Sequence, residues 1–316
     1  MKVVTFGEIM LRLTPPGYAR FLQADAFTAC YGGAEANVAA GLASLGVRAE
    51  FVTRLPQNDI GRAALNSLRR YGVETGNVAT GGGRLGIYFL EKGAGARSAN
   101  VIYDRADSGF ASAKDGDFDW NKIFDGADWF HLSGVTPALS AAMPAICLNA
   151  VRTAKEKGLT VSFDVNYRAK LWSVKKAAAA LSPLLPYVTV FFGTDWDARG
   201  LFGAPDLQSL IKTHTLQTAA HSVRGGDTYA GVLYSGGKVY RSKTHTLAVI
   251  DRIGAGDAFC AGLIYALTRG KDAQEAIELA AAAAVLKHTT EGDTSLAGAE
   301  EIERAANGGS SGVVLR

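Results

Sequence analysis

Late in the chain, Asp251-Arg252-Ile253-Gly254-Ala255-Gly256-Asp257-Ala258-Phe259 sets two glycines just before a carboxylate and a small-residue helical stretch, Ala258–Thr268. Gly254 and Gly256 let the backbone turn sharply and bring peptide N–H groups close to a ligand. These N–H groups fall at a helix start, where the dipole favours anions. The pattern predicts a cradle for a phosphoryl group in transfer, built from the backbone of Gly254, Ala255 and Gly256. Asp257 beside it is placed to orient and deprotonate an attacking hydroxyl. At a helix N-terminus it is expected to be a weak base, which phosphoryl transfer tolerates because its transition state is loose. The bland alternative is a helix start that Asp257 merely caps.

The flanking elements must hold this turn at an open sheet edge. Strand-like Leu247–Ile250 leads into it. Lys2–Gly7 and Glu50–Arg54 read as strands, and Glu35–Leu45 (followed by Gly46) and Asp59–Tyr71 as helices. Beyond residue 125, Trp129–Ser133, Thr160–Asp164, Val188–Phe192 and Ala220–Val223 read as strands, with Ala141–Lys157 the clearest helix between them. Such alternation predicts an α/β fold: a doubly wound, mostly parallel sheet flanked by helices, binding ligands beyond the strands' carboxyl ends. Leu11–Leu13 with Phe27–Tyr31, and Gly86–Glu91 with Asn100–Arg105, alternate with period two and lack a crossover helix. They predict a small antiparallel β lid. The expected division is residues 1–10, 33–85 and 107–316 as the nucleotide- and substrate-binding core, and residues 11–32 and 86–106 as the lid. The Gly/Ser-rich tail Asn307–Gly312 is expected to be mobile.

Bulk properties exclude several classes. Apolar residues make up 48% of the 316 and charged residues 20%, which suits a globular protein rather than a disordered one. A net charge of +3 without a basic run gives no nucleic-acid footprint. The longest apolar run, Leu279–Leu286, is far short of the ~20 residues that span a bilayer. With no leader pattern, a cytoplasmic location is expected. Cys30, Cys147 and Cys260 form no C-x-x-C pair, and the five histidines show no ligand spacing. No G-x-G-x-x-G follows the first strand, which disfavours a dinucleotide oxidoreductase.

With Gly32-Gly33-Ala34-Glu35-Ala36-Asn37-Val38-Ala39 in the early position, the late motif gives the chain the two signatures of a family. It resembles the ribokinase-like (pfkB) sugar kinases over essentially its whole length. The resemblance implies ATP as donor, Mg2+, a sugar hydroxyl as acceptor and, in some members, a monovalent cation near the Asp251 loop. Val101-Ile102-Tyr103-Asp104-Arg105-Ala106 and Phe163-Asp164-Val165-Asn166-Tyr167-Arg168-Ala169-Lys170-Leu171-Trp172 are most similar to the 2-keto-3-deoxygluconate kinases. A sugar acid's carboxylate needs charge-assisted donors, and guanidinium supplies a planar fork. Arg105 from the lid and Arg168 from the body are the candidates. The alternatives are a solvated strand-edge charge and a surface ion pair. Tyr88 and Tyr103 are expected to face one another across the lid hairpin.

By resemblance, Gly33, Asn37, Tyr88, Tyr103, Arg105, Arg168, Asp251, Asp257 and Asp293 bind substrate, with Asp251 at the sugar hydroxyls. Asn166, Thr194, Arg224, Gly226 and the Gly254–Gly256 backbone serve the nucleotide, and His288 falls near its adenine. Where the family commonly carries N-x-x-E to organise magnesium, this chain reads Thr194-Asp195-Trp196-Asp197, leaving Asp197 as a metal residue acting through water. The expected activity is transfer of the γ-phosphoryl group to the 6-hydroxyl of 2-keto-3-deoxygluconate, with Asp257 as base. The alternatives are fructose, ribose or 2-keto-3-deoxygalactonate as acceptor, or a silent sugar- or nucleotide-binding protein of the same fold. Exposed lid edges lead us to expect a homodimer paired through the lid.

Overall fold

A computed structural model describes residues 1–214 and 216–309; of the tail at 307–312, residues 310–312 lie outside that range. The chain opens with a wholly buried strand, β1 (Lys2–Phe6), and passes at once into a second sheet through β2 (Met10–Thr14) and β3 (Thr28–Gly32). Helix α1 (Ala34–Ser44) returns it to β4 (Arg48–Val52), parallel to β1. A two-residue ladder pairs β5 (Arg54–Leu55) with β6 (Ala79–Thr80) around α2 (Asp59–Arg70). Asn58 caps α2 by accepting from the Gly61 amide, and Arg69 and Arg70 oppose the dipole in its last turn. β7 (Ile87–Glu91) and β8 (Asn100–Asp104) complete the second sheet.

From α3 (Trp120–Ile123) onward, β9 (Trp129–Ser133), α4 (Met143–Glu156), β10 (Thr160–Asp164), α5 (Val174–Leu181) and β11 (Val190–Phe192) alternate. α6 (Asp195–Phe202) and α7 (Leu207–Thr213) lead to β12 (Thr218–Gly225). β13 (Thr228–Ser235), β14 (Lys238–Arg241) and the short β15 (His245–Thr246) follow, then α8 (Ala255–Thr268), α9 (Ala273–His288) and α10 (Ala299–Ala306).

The main sheet has nine strands in the order β14-β13-β12-β11-β10-β9-β1-β4, with β15 beside β13. The six strands from β12 to β4 are parallel and the remainder antiparallel. One apolar layer packs α1, α8 and α9 on one face, and a second packs α4 and α5 on the other. That double burial is why the parallel strands read as unbroken apolar runs. Strand order reverses between β1 and β9, opening a crevice at their carboxyl ends.

One expectation changes. The segment Leu247–Ile250 is not a strand. The Leu247 amide binds the Asp227 carbonyl and the Ile250 amide the His288 carbonyl at 2.7 Å, so it leaves the sheet for the end of α9. Its Ile250 side chain is half exposed. The second sheet comprises two antiparallel hairpins, β2–β3 and β7–β8, joined by a parallel pairing of β2 with β7. Tyr88 and Tyr103 are cross-strand partners there, with ring centroids 5.9 Å apart.

Phe6, at the end of β1, is fully buried and meets the rings of Phe110, Phe118 and Trp120 at 5.2, 4.9 and 5.0 Å. This cluster fixes the strand end from which Glu8 projects. Phe6→Ala is expected to lower unfolding free energy by about 3–5 kcal/mol, measured by denaturant titration.

Candidate active site

A cavity of about 750 Å³ opens beyond β1, β9 and β10, beneath the lid. That volume is in the range of small-ligand sites. A second, of about 330 Å³, lies beyond β11 and β12. Asp164, Asn166, Tyr167 and Gly256 line both, so the two compartments meet at the start of α8.

The turn into α8 takes the shape its glycines allow. Gly254 is the helix N-cap with φ 82°, and a Cβ there would lie 1.7 Å from the Asp293 carbonyl oxygen. A Cβ on Gly256 would meet no protein atom within 4 Å, because the space beside it belongs to the cavities. The helical ladder begins with the Ala258 amide on the Gly254 carbonyl, 2.8 Å. The earlier amides of Gly256 and Asp257 therefore belong to the first turn, which has no intrahelical acceptors. Ala255 is wholly buried and serves only through its backbone.

Asp257 lines the larger cavity and accepts the Asn37 side-chain amide at 2.7 Å. Asn37 also accepts the Gly33 amide, 3.3 Å, tying the early motif to the late one. Burial pushes the Asp257 carboxyl up to about 7, against the pull of Asn37 and Arg168. Desolvation is the largest of these influences and holds the group near neutrality, above the range expected of a weak base at a helix start. Asp164 is pushed up to about 8 by burial first and by Asp257 next. Neither Asp164 nor Glu8, Arg12 and Lys287 were singled out from the sequence. Asn166, which was singled out, lines both cavities and holds φ 38°, a conformation retained where surroundings demand it.

Tyr103, Arg105 and Arg168 line the larger cavity together with Gly33, Tyr88, Asn166, Arg224 and Asp293. Arg105 is neither solvated nor free. Its Nε donates to Glu8 Oε2 at 2.8 Å, its Nη2 reaches the same oxygen, and Ser108 holds the other Glu8 oxygen. The nearly buried Glu8 thus aims the lid arginine over Tyr103, 5.6 Å from the ring centroid. Arg168 is exposed on the opposite wall, and its charge reaches both Asp257 and Asp164. Lys170 adds a third cation and ties the body to the lid through the Val101 carbonyl, 3.2 Å.

Several expected residues lie elsewhere. Asp251 does not line either cavity: Arg12 and the Ile253 amide hold its oxygens at 2.6 and 3.0 Å, turning it inward. Gly226 sits at the tip of the β12–β13 hairpin, exposed, with φ 60°. His288 is fully buried and lines neither cavity, its Nδ1 on the Ala284 carbonyl. Thr194 and Asp197 line the smaller cavity, but as the two ends of a capping box on α6. Asp197 Oδ2 accepts both the Thr194 amide and hydroxyl at 2.7 Å.

Among the described residues no three His, Cys, Asp or Glu side chains converge to cage a metal. Asp164 at the junction and Asp197 in the smaller cavity still fit magnesium: both are hard donors, and a hydrated ion carried by phosphates needs one or two carboxylates. No helix among the described residues is long and apolar enough to cross a membrane.

Burial raises both Asp164 and Asp257, so the folded state binds protons more tightly than the unfolded one. The stability this adds is complete below the unfolded carboxyl range and is lost as pH rises through about 7 and about 8. Asp164→Asn and Asp257→Asn should therefore each melt above wild type at about pH 9 and close to it at about pH 5, by thermal unfolding.

Comparison with known proteins places the chain. A family model described as pfkB family carbohydrate kinase matches residues 1–299. A 2-dehydro-3-deoxygalactonokinase of Haloferax volcanii is 35% identical over 99% of this chain and 98% of its own length. The crystal structure of a 2-dehydro-3-deoxygluconokinase from Thermotoga maritima is 44% identical, with a TM-score of 0.94 over 97% of this chain and 98% of that one. A pfkB family carbohydrate kinase from Listeria grayi superposes with a TM-score of 0.94 at 33% identity, over 97% and 100% of the two chains.

Proposed function

The chain belongs to the pfkB family of carbohydrate kinases, and on that premise we propose that it transfers the γ-phosphoryl group of ATP to the 6-hydroxyl of 2-keto-3-deoxygluconate. The observation that carries this reading is Asp257 in the larger cavity, next to Gly256, where the two cavities meet at the start of α8. One compartment suits the sugar acid and the other the nucleotide's phosphates.

In this reading the acceptor lies in the larger cavity with its carboxylate between Arg105 and Arg168. Glu8 spends two of the five Arg105 donors, leaving the rest for the ligand. Asp257 accepts the hydroxyl proton as the oxygen attacks phosphorus, and ADP leaves on the far side. The Gly256 and Asp257 amides face charge on the migrating group. Asp164 and Asp197 would hold a hydrated magnesium carried by the phosphates, which would supply charge neutralisation. Tyr103 and Lys170, linking lid and body, exclude water that would otherwise take the phosphoryl group.

The galactonate epimer is a second reading, favoured by the Haloferax volcanii relative at 35% identity. The outer lid strand leaves Ile102 and Tyr103 exposed, which supports pairing of two copies there.

A panel of sugars tests the substrate: kcat/KM should be highest for 2-keto-3-deoxygluconate or its epimer, and faster turnover of fructose or ribose would refute the acid. Arg105→Ala and Arg168→Ala should each lower kcat/KM for the acid by about ten- to a hundredfold while changing neutral sugars little. Asp257→Asn should cut kcat by about 10²–10⁴ with ligand affinity retained, and wild-type kcat should rise as pH passes about 7, when the base loses its proton.

A further inference from the structure

Below the cavities lies a charge cluster to which the transfer chemistry gives no role. Arg12, 2% exposed on lid strand β2, donates to Asp251 Oδ2 and Asp293 Oδ1, both at 2.6 Å. Lys287, 1% exposed in the last turn of α9, donates to the Thr290 carbonyl at 3.1 Å. Its charge interacts with both Asp251 and Asp293. Two cations therefore face two carboxylates.

The cluster lies inside a double turn. The Asp251 and Ile250 amides bind the His288 carbonyl, and the Gly292 amide binds Asp251 Oδ2 at 3.2 Å. Residues 287–293 are thus wrapped around residues 250–254, the segment that presents Gly254 to the phosphoryl group. The carbonyl end of a helix attracts a cation, and Lys287 fills that place from within the chain.

A free monovalent ion, which some family members use near the Asp251 loop, does not fit here. All four carboxylate oxygens already accept a donor: Ile253 and Arg12 on Asp251, Arg12 and the Tyr88 hydroxyl on Asp293. A further cation would leave the buried cluster with uncompensated positive charge, which a low-dielectric interior penalises.

We propose that Lys287 is a tethered cation which, with Arg12, neutralises Asp251 and Asp293 and sets the phosphate turn, so that this protein works without a bound monovalent ion. Lys287 is a positioning residue; it touches neither reactant. The proposal relies on the kinase reading only where turnover is measured, and its thermal readout stands without it.

The experiment compares potassium, sodium, ammonium and choline chlorides at one ionic strength, for wild type and Lys287→Met. Wild type should melt at one temperature and turn over within about twofold in every salt. Lys287→Met should melt lower in choline, with melting temperature and kcat both recovering in potassium or ammonium. The proposal is overturned by a wild-type melting temperature or rate that rises in potassium over choline. It is equally overturned by a Lys287→Met variant that matches wild type in choline, or whose loss is the same in every salt. Should that variant not fold, the wild-type salt series still decides. A wild type inactive on every sugar, yet with a salt-independent melting temperature, would count against the kinase reading and not against the tethered cation.

Discussion

One guanidinium, that of Arg12, joins the two sheets of this protein. It leaves the lid strand β2 and closes on carboxylates from two segments of the core, 239 and 281 residues further along the chain. Burial alone would depress its charge, but Asp293 and Asp251 together more than reverse that, and its affinity for the proton rises. Charges so enclosed tolerate no vacancy, since an unpaired buried ion costs about 3–5 kcal/mol. The turn before α8 therefore has one arrangement, and the lid is registered on it.

Two electrostatic regimes sit side by side. The Arg12 cluster is balanced and inert. Next to it, Asp257 and Asp164 are desolvated with only partial compensation, and Asp257 further raises the proton affinity of Asp164. A fold selected for stability alone would not keep that pair. Groups whose proton affinity is shifted this far by their surroundings cluster where chemistry is done.

The lid shows how a cavity-facing arginine is held indirectly. Arg105 presents its remaining donors to the cavity only because Glu8, at the end of β1, grips the other side of its guanidinium. Glu8 in turn is held by Ser108 and by a strand end anchored in the Phe6 aromatic cluster. Core packing, strand end, carboxylate and lid arginine form one chain of support, which keeps a mobile charged side chain aimed.

Much of the fold was readable because its signals are local. Apolar runs, glycine stops and small-residue helices placed β1, β9, β10 and most helices, and the two glycine motifs located Asn37, Gly254 and Asp257. The edge hairpin β13–β14 and the irregular path of Leu247–Ile250 were not, since edge pairing and a departure from the sheet depend on partners such as His288 that lie far away in sequence. Asp251 and Asp197 show a related limit: a carboxylate's type is visible in the sequence, but that its oxygens also meet a buried arginine or a helix cap is not. Residue types and spacing determined that a glycine turn opens a helix with a carboxylate beside it. Only the tertiary structure decided how strong a base that carboxylate is and which charges are already satisfied, because desolvation and ion pairing depend on what surrounds a group in space.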